Sequence, residues 1–279
     1  MPFRRLSPLI ALGIVLATQS APAWSDIPLG HMAVSEVRKD VENGDCKGAV
    51  AALNRGLAAH YPEMQLLAGS LYENGVCLKP NWDRAVNFYT QAFKNGQEEA
   101  GYRLAAGFAA PERSDVASAL WWASRVKLNY GGCVPTGDAA NDPDKFLADV
   151  KTWSDARIGI CTYEVGVMAT IAAEVLYPVQ ASQWSTDGKV LITFKPAVPR
   201  IDLTLNGTET HALYGVYNGD RLWEQDDRAA GKAFIKSVRL VADRALKRFP
   251  KPDGISADLP DACFEMRFGM TDANLPHFH

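Results

Sequence analysis

Met64-Gln65-Leu66-Leu67-Ala68-Gly69-Ser70-Leu71-Tyr72 lies over Ala100-Gly101-Tyr102-Arg103-Leu104-Ala105-Ala106-Gly107-Phe108 at a shift of 36 residues. The stretches that follow superpose as well, Ala85-Val86-Asn87-Phe88-Tyr89 over Ser118-Ala119-Leu120-Trp121-Trp122, now at a shift of 33. Self-similarity at this period is the signature of stacked helix pairs. The three-residue difference falls in a turn, where a change of loop length costs little. A more degenerate unit precedes these two: Ala49, Ala52 and Leu53 stand 36 residues before Ala85, Phe88 and Tyr89. Small residues (Ala68, Gly69, Ala85, Ala92, Ala105) alternate with large ones (Tyr72, Phe88, Tyr89, Phe108, Trp121, Trp122). Close helix pairs need this alternation, because backbones approach over small residues and large side chains fill the gaps beside them. Turn signals separate the helices at Glu42-Asn43-Gly44-Asp45, Glu73-Asn74-Gly75, Asn95-Gly96 and Ala110-Pro111-Glu112.

The central unit resembles the Sel-one-like repeat, a short relative of the tetratricopeptide repeat, with the pattern A-x-x-x-L-G-x-x-Y-x-x-G-x-G-V followed by D-x-x-K-A-x-x-W-Y-x-K-A. Gly69, Tyr72, Gly75, Val76, Ala85, Phe88, Tyr89 and Ala92 carry the resemblance. Met64, Ala68, Arg84 and Gln91 depart from the residue types at their positions, Phe88 is an aromatic in place of the pattern's tryptophan, and the last unit has Ala109-Ala110-Pro111-Glu112 where the G-x-G-V turn would stand. Over residues 31–130 the resemblance implies an all-α solenoid whose concave side meets a protein or peptide, with no catalytic residue to carry over. Aromatics recurring at repeat spacing belong to the core between helices. Trp82, in the turn after Lys79-Pro80-Asn81, is the one expected to stand free, and is the candidate for stacking on a partner or on a peptidoglycan strand.

Residues 131–160 read as a connector, with Gly131-Gly132-Cys133-Val134-Pro135-Thr136-Gly137 and Asn141-Asp142-Pro143, and with a short helix over Pro143 to Trp153. From Tyr163 the pattern changes. Val167, Met168, Ile171, Ala172 and Val175 form a helical stripe that stops at Tyr177-Pro178. Gly188 to Phe194 and Ile201 to Leu205 alternate at period two. Asn206-Gly207 after them is the strong two-residue hairpin signal, so a third strand is expected through His211 to Tyr217, closed by Asn218-Gly219. A long amphipathic helix over Ala229 to Phe249 follows, its basic exterior a solvated face. Cys263 to Phe268 alternates as a last strand, giving an α+β domain with an antiparallel sheet covered by helices on one face.

Residues 163–270 resemble the C-terminal domain shared by the envelope proteins TonB and TolA. The family's Tyr-Pro-x-x-Ala is met by Tyr177, Pro178 and Ala181, and its Gly-x-Val-x-Val-x-Phe by Gly188, Val190, Ile192 and Phe194. The late helix ends Ala245-Leu246-Lys247-Arg248-Phe249-Pro250-Lys251-Pro252, in the family's manner. Lys195-Pro196-Ala197-Val198-Pro199 replaces the usual Asp-Gly turn, and Thr208 to Asp227 reads as an insertion. The resemblance implies engagement of envelope proteins, often by adding a partner's strand to an exposed sheet edge. The final strand, with Phe264, Met266 and Phe268, is the candidate partner-binding edge.

The first residues give the compartment. A basic start at Arg4 and Arg5, an apolar run over Leu9 to Ala17 and the small residues Ala21-Pro22-Ala23 read as a signal peptide over residues 1–25. No apolar stretch is read as reaching the roughly 18 residues of a spanning helix, so no transmembrane span is expected in the mature chain. The chain's net charge of −3 becomes −5 once Arg4 and Arg5 are removed, since no acidic residue leaves with them. That balance argues against nucleic acid as a partner. Five cysteines in an exported chain suggest two bridges and one thiol, and proximity within modules favours Cys46 with Cys77 and Cys133 with Cys161.

A search for chemistry finds no G-x-S-x-G elbow, no H-E-x-x-H and no G-x-x-x-x-G-K-[ST]. His277 and His279 with Asp272 read as a tail over residues 271–279, not a metal site, and no cofactor is expected. The sequence therefore predicts a multidomain, non-enzymatic periplasmic binding or scaffolding protein. A peptidoglycan-associated enzyme or glycan binder is the alternative, and a thiol redox protein a third, which would need Cys263 or Cys133 to be exposed.

Overall fold

The computed structural model describes residues 29–126, 128, 132–183, 186–210 and 220–269. The leader, the strand expected over His211 to Tyr217 and the tail at 271–279 lie outside them.

The first part is three successive helix hairpins: α1 (Leu29–Glu42) with α2 (Cys46–Ala58), α3 (Pro62–Asn74) with α4 (Trp82–Lys94), and α5 (Glu98–Ala109) with α6 (Val116–Ala123). The second helix of each pair starts on an Asx cap. Asp45 accepts from Gly48 N at 2.8 Å, Asn81 from Arg84 N at 2.9 Å and Asp115 from Ser118 N at 3.1 Å, each satisfying an amide that a helix start leaves open. Asp45 and Asn81 stand 36 residues apart, so the period governs caps as well as core. Gly75 ends α3 in the left-handed conformation at φ 69°, a state that costs glycine nothing. Small residues set the close contacts both within and between hairpins: a Cβ on Gly69 would collide with the Tyr89 ring of the same hairpin, and one on Gly107 with Trp82 of the preceding one.

A single 3-10 turn (Gly137–Ala140) and α7 (Pro143–Val150) occupy the stretch read as connector, and α8 (Asp155–Glu174) starts eight residues before Tyr163. From Cys161 to Ala173 every residue of α8 is buried except Thr162 and Ala172. One side of the helix packs on α5 and α6, another on α10 (Asp220–Arg248), which is why no single apolar stripe describes it. By length and composition α8 could cross a membrane, which the reading that no stretch reaches spanning length overlooked; 61% of its most apolar window is buried inside the protein, as in a core helix.

The sheet has three antiparallel strands, β1 (Thr186–Lys195), β2 (Arg200–Thr210) and β3 (Ala262–Phe268), in the order β2-β1-β3. Gly188, Val190, Ile192 and Phe194 of β1 face the helices and are buried. Phe234 of α10 fills the place of a side chain at Gly188, and Phe249 presses on Gly166 of α8. The hairpin between β1 and β2 turns at Pro196 to Pro199, with Val198 N bonded to Lys195 O at 3.2 Å. Asn206-Gly207 is therefore not the turn it was read as. It lies within β2 as a bulge, since Lys189 pairs with Gly207 while Val190 pairs with Leu205, leaving Asn206 without a place in the register. Gly207 takes φ 138°, so the dipeptide supplies the same positive φ to a bulge that it would supply to a turn.

The buried residues form three clusters. One lies within α1, α2 and α3, one among α3, α4 and α5, and the largest runs from Ala105, Ala119 and Leu120 through α8 to the sheet and α10.

Candidate functional site

The central position of β1 leaves β3 at an edge of the sheet. Its far side has no strand partner among the described residues. Along β3 the pleat divides the side chains: Cys263, Glu265 and Arg267 are exposed on the open face, whereas Phe264, Met266 and Phe268 point toward the helices. Phe268 is buried and stacks on Phe234 with ring centroids 4.6 Å apart, and Phe264 and Met266 pack on the same core. These three apolar side chains, read as partner-binding, are thus occupied within the fold. What β3 offers outward is its backbone and the row Cys263, Glu265 and Arg267. Asn206 at the bulge reaches across β1 to donate to Glu265 Oε2 at 3.1 Å, and this bond, opposed by slight desolvation and aided by Arg267, holds the Glu265 carboxyl below its ordinary range.

Trp82 is not the free ring expected. Phe108 meets it edge-on at 5.2 Å, the Arg113 guanidinium sits 4.0 Å from its centroid and Gly107 lies against its rim. The tryptophan is a half-buried spacer between hairpins, its ring engaged by Phe108 and Arg113.

Beneath it lies a polar network that sequence reading missed. Tyr89, fully buried, donates to Glu73 Oε2 at 2.9 Å, and Arg113 stands 3.7 Å from Glu73 Oε1. Arg103, 5% exposed, pairs with Glu99 at 3.4 Å. Burial opposes the charge of Arg103, but Tyr89, Glu99, Glu73 and Glu174 outweigh it and keep the guanidinium charged. Burial and then Glu73 push the Tyr89 hydroxyl well above its ordinary range. With its charges matched in pairs, the network suits locking hairpins together. A glutamate and an arginine four residues apart, Glu99 and Arg103, are the signal the sequence offers.

The cysteines pair as Cys46–Cys77 and Cys133–Cys161, with S–S distances of 2.01 and 2.10 Å, and Cys263 is free and exposed. Cys133 is thereby removed as a redox thiol. Two disulfides are compatible with an oxidising compartment. Glu164, only 4% exposed, places Oε2 3.4 Å from Cys133 Sγ. A disulfide sulfur carries no hydrogen, so the protonated carboxyl is the donor there. Burial raises the Glu164 pKa from 4.5 to about 7.

No group of three or more metal-ligating side chains is found among the described residues, and His277 and His279 lie outside them. The chain matches no protein-family model, no curated protein and no solved structure. Both family resemblances rest on the residues that carry them.

Proposed function

We propose that the chain is a non-enzymatic binding or scaffolding protein of the periplasm that engages envelope proteins through its helix hairpins and an edge of its sheet. The solenoid reading of the hairpins and the TonB and TolA reading of the sheet belong to this proposal. The observation that carries it is the open side of β3. A strand edge with unpaired amides and carbonyls is a template for another chain's strand, and main-chain hydrogen bonds supply the affinity. The exposed, charged row on β3 would then read the partner's side chains at alternate positions.

Cys263 makes the test direct. A photo-crosslinker attached to this native thiol sits on β3 itself, and a thiol placed by Leu240→Cys at an exposed position of α10 serves as control. Irradiation with envelope extract should give a discrete adduct from Cys263 and none from the α10 thiol once Cys263 is replaced by serine. Equal labelling from both positions, or none from either, would remove the strand-edge reading. The alternative of a glycan binder rested on Trp82, whose ring is engaged within the fold.

A further inference from the structure

Where the hairpins meet the sheet part, a cleft of about 350 Å³ is lined by Asn74 from the end of α3, Thr170 and Glu174 from α8, and Arg244 and Arg248 from α10. Positions separated by 170 residues of sequence converge on it. Three observations set this cleft apart from an ordinary surface ion pair.

The first is the hydroxyl of Thr170. The residue is 2% exposed, and its Oγ1 has no hydrogen-bond partner among the described residues. Buried hydroxyls are nearly always bonded, and an unmet one is costly. The second is the geometry of the two arginines. Four residues apart on one helix, they stand side by side over the cleft. Arg244 donates to Glu174 Oε2 at 3.1 Å through Nη2 and makes no other bond among the described residues, while its side chain is 49% exposed. Arg248 donates to Glu112 Oε1 at 3.1 Å through Nη2 and reaches Glu174 only at 4.0 Å. Each guanidinium carries five N–H donors, so most of them remain available to a guest. The third is the support behind Glu174, which also lies in the field of buried Arg103. Glu174 therefore keeps a cationic neighbour when Arg244 and Arg248 turn to another anion.

We infer that this cleft binds the oxyanion of a small carboxylate or phosphate ligand, held by Arg244 and Arg248 with the Thr170 hydroxyl as third donor. Forked guanidinium groups match the two oxygens of such an anion, and the hydroxyl gains the bond that it lacks. Glu112 is the built-in competitor, since it occupies Arg248 from the rim. The site is separate from the β3 edge, and its test leaves that edge untouched.

The test titrates the full mature chain with inorganic phosphate in one arm and succinate in the other, by calorimetry at ionic strength held constant with chloride. Saturable binding in either arm is expected and identifies the source of the oxyanion. Thr170→Val keeps the shape and removes the hydroxyl; affinity should fall about fivefold or more while thermal stability of the ligand-free protein holds or rises. Arg248→Gln should weaken binding about tenfold, and Glu112→Gln should tighten it by about the same factor, because it frees Arg248. Absence of saturable binding in both arms up to about 20 mM, a range that already covers very weak sites, overturns the inference. So does Thr170→Val binding as tightly as the parent, or Glu112→Gln binding more weakly.

Discussion

The hairpins and the sheet part bury polar groups in opposite ways. In the hairpins, Tyr89 lies at the centre with its hydroxyl on Glu73 and with Arg113 and Arg103 close by, so every buried charge has a counterpart. In the sheet part, Tyr163 is also buried and meets Phe194 edge-on, yet its hydroxyl has no partner among the described residues, as is true of Thr170 seven residues on. Burial, then the neighbouring Glu164, pushes the Tyr163 hydroxyl up to about 12. The cores differ in the same sense. Two small clusters serve the first two hairpins, and one large cluster joins α5, α6, α8, the sheet and α10. The hairpins stack in series, each small cluster joining one hairpin to the first helix of the next. The sheet part depends on all of its elements at once and leaves the Tyr163 hydroxyl unmet within its apolar packing.

The disulfides test this contrast most severely. The bridges span 31 and 28 residues, so the loop entropy lost with either is nearly the same, about 3.5 kcal/mol. Cys46→Ser with Cys77→Ser should release that energy locally, seen as faster hydrogen exchange confined to α1, α2 and α3. Cys133→Ser with Cys161→Ser should lower the main denaturation midpoint, because Cys133 and Cys161 belong to the large cluster. A single shared transition in both variants would break the comparison.

The pH dependence of Glu164 comes next. Its pKa in the folded protein, about 7, exceeds the ordinary 4.5, so between those values the native state binds the proton more tightly than the unfolded chain. Its contribution is therefore most favourable below pH 4.5 and is lost as the pH rises through 7. Glu164→Gln removes this dependence. The stability of the variant relative to the parent should rise by up to about 3 kcal/mol between acid and mildly alkaline pH, followed by denaturant titration at each pH.

The smallest effects sharpen the comparison by tyrosine against tyrosine. Tyr89→Phe takes the buried donor from Glu73 Oε2, leaving that carboxylate to Arg113, and should cost about 2 kcal/mol. Tyr163→Phe removes a hydroxyl with no partner among the described residues, and should be neutral or stabilising by about 1 kcal/mol in the same denaturation assay.

The part of this fold that sequence made legible is the part built from local rules. The 36-residue shift, the alternation of small and large residues, the two bridges and the β1 alternation all follow from spacing and size. Asn206-Gly207 misled because positive φ is all that the dipeptide announces, and a bulge uses it as readily as a turn. The bulge also moves the inward positions of β2 from Ile201, Leu203 and Leu205 to Thr208 and Thr210, which hides the strand's second half from a period-two reading. Phe264, Met266 and Phe268 announced a strand correctly, but which face meets solvent depends on where the helices lie. The cleft was beyond reading, since Asn74, Thr170 and Arg244 are neighbours only after three helices have packed.

The two-sided burial of α8 dictates how this chain can be dissected. A cut just before Asp155 would strip the cover from Ala105, Ala119 and Leu120 on one fragment and bare Val165, Met168 and Ala169 on the other. Both pieces would be sticky, and neither would report on the behaviour of the whole. A break between Lys94 and Glu98 spares the large cluster, leaving α5 and α6 with α8, but it parts Ala100 and Leu104 from Leu66, Tyr89 and Ala92 and so bares an apolar face of its own.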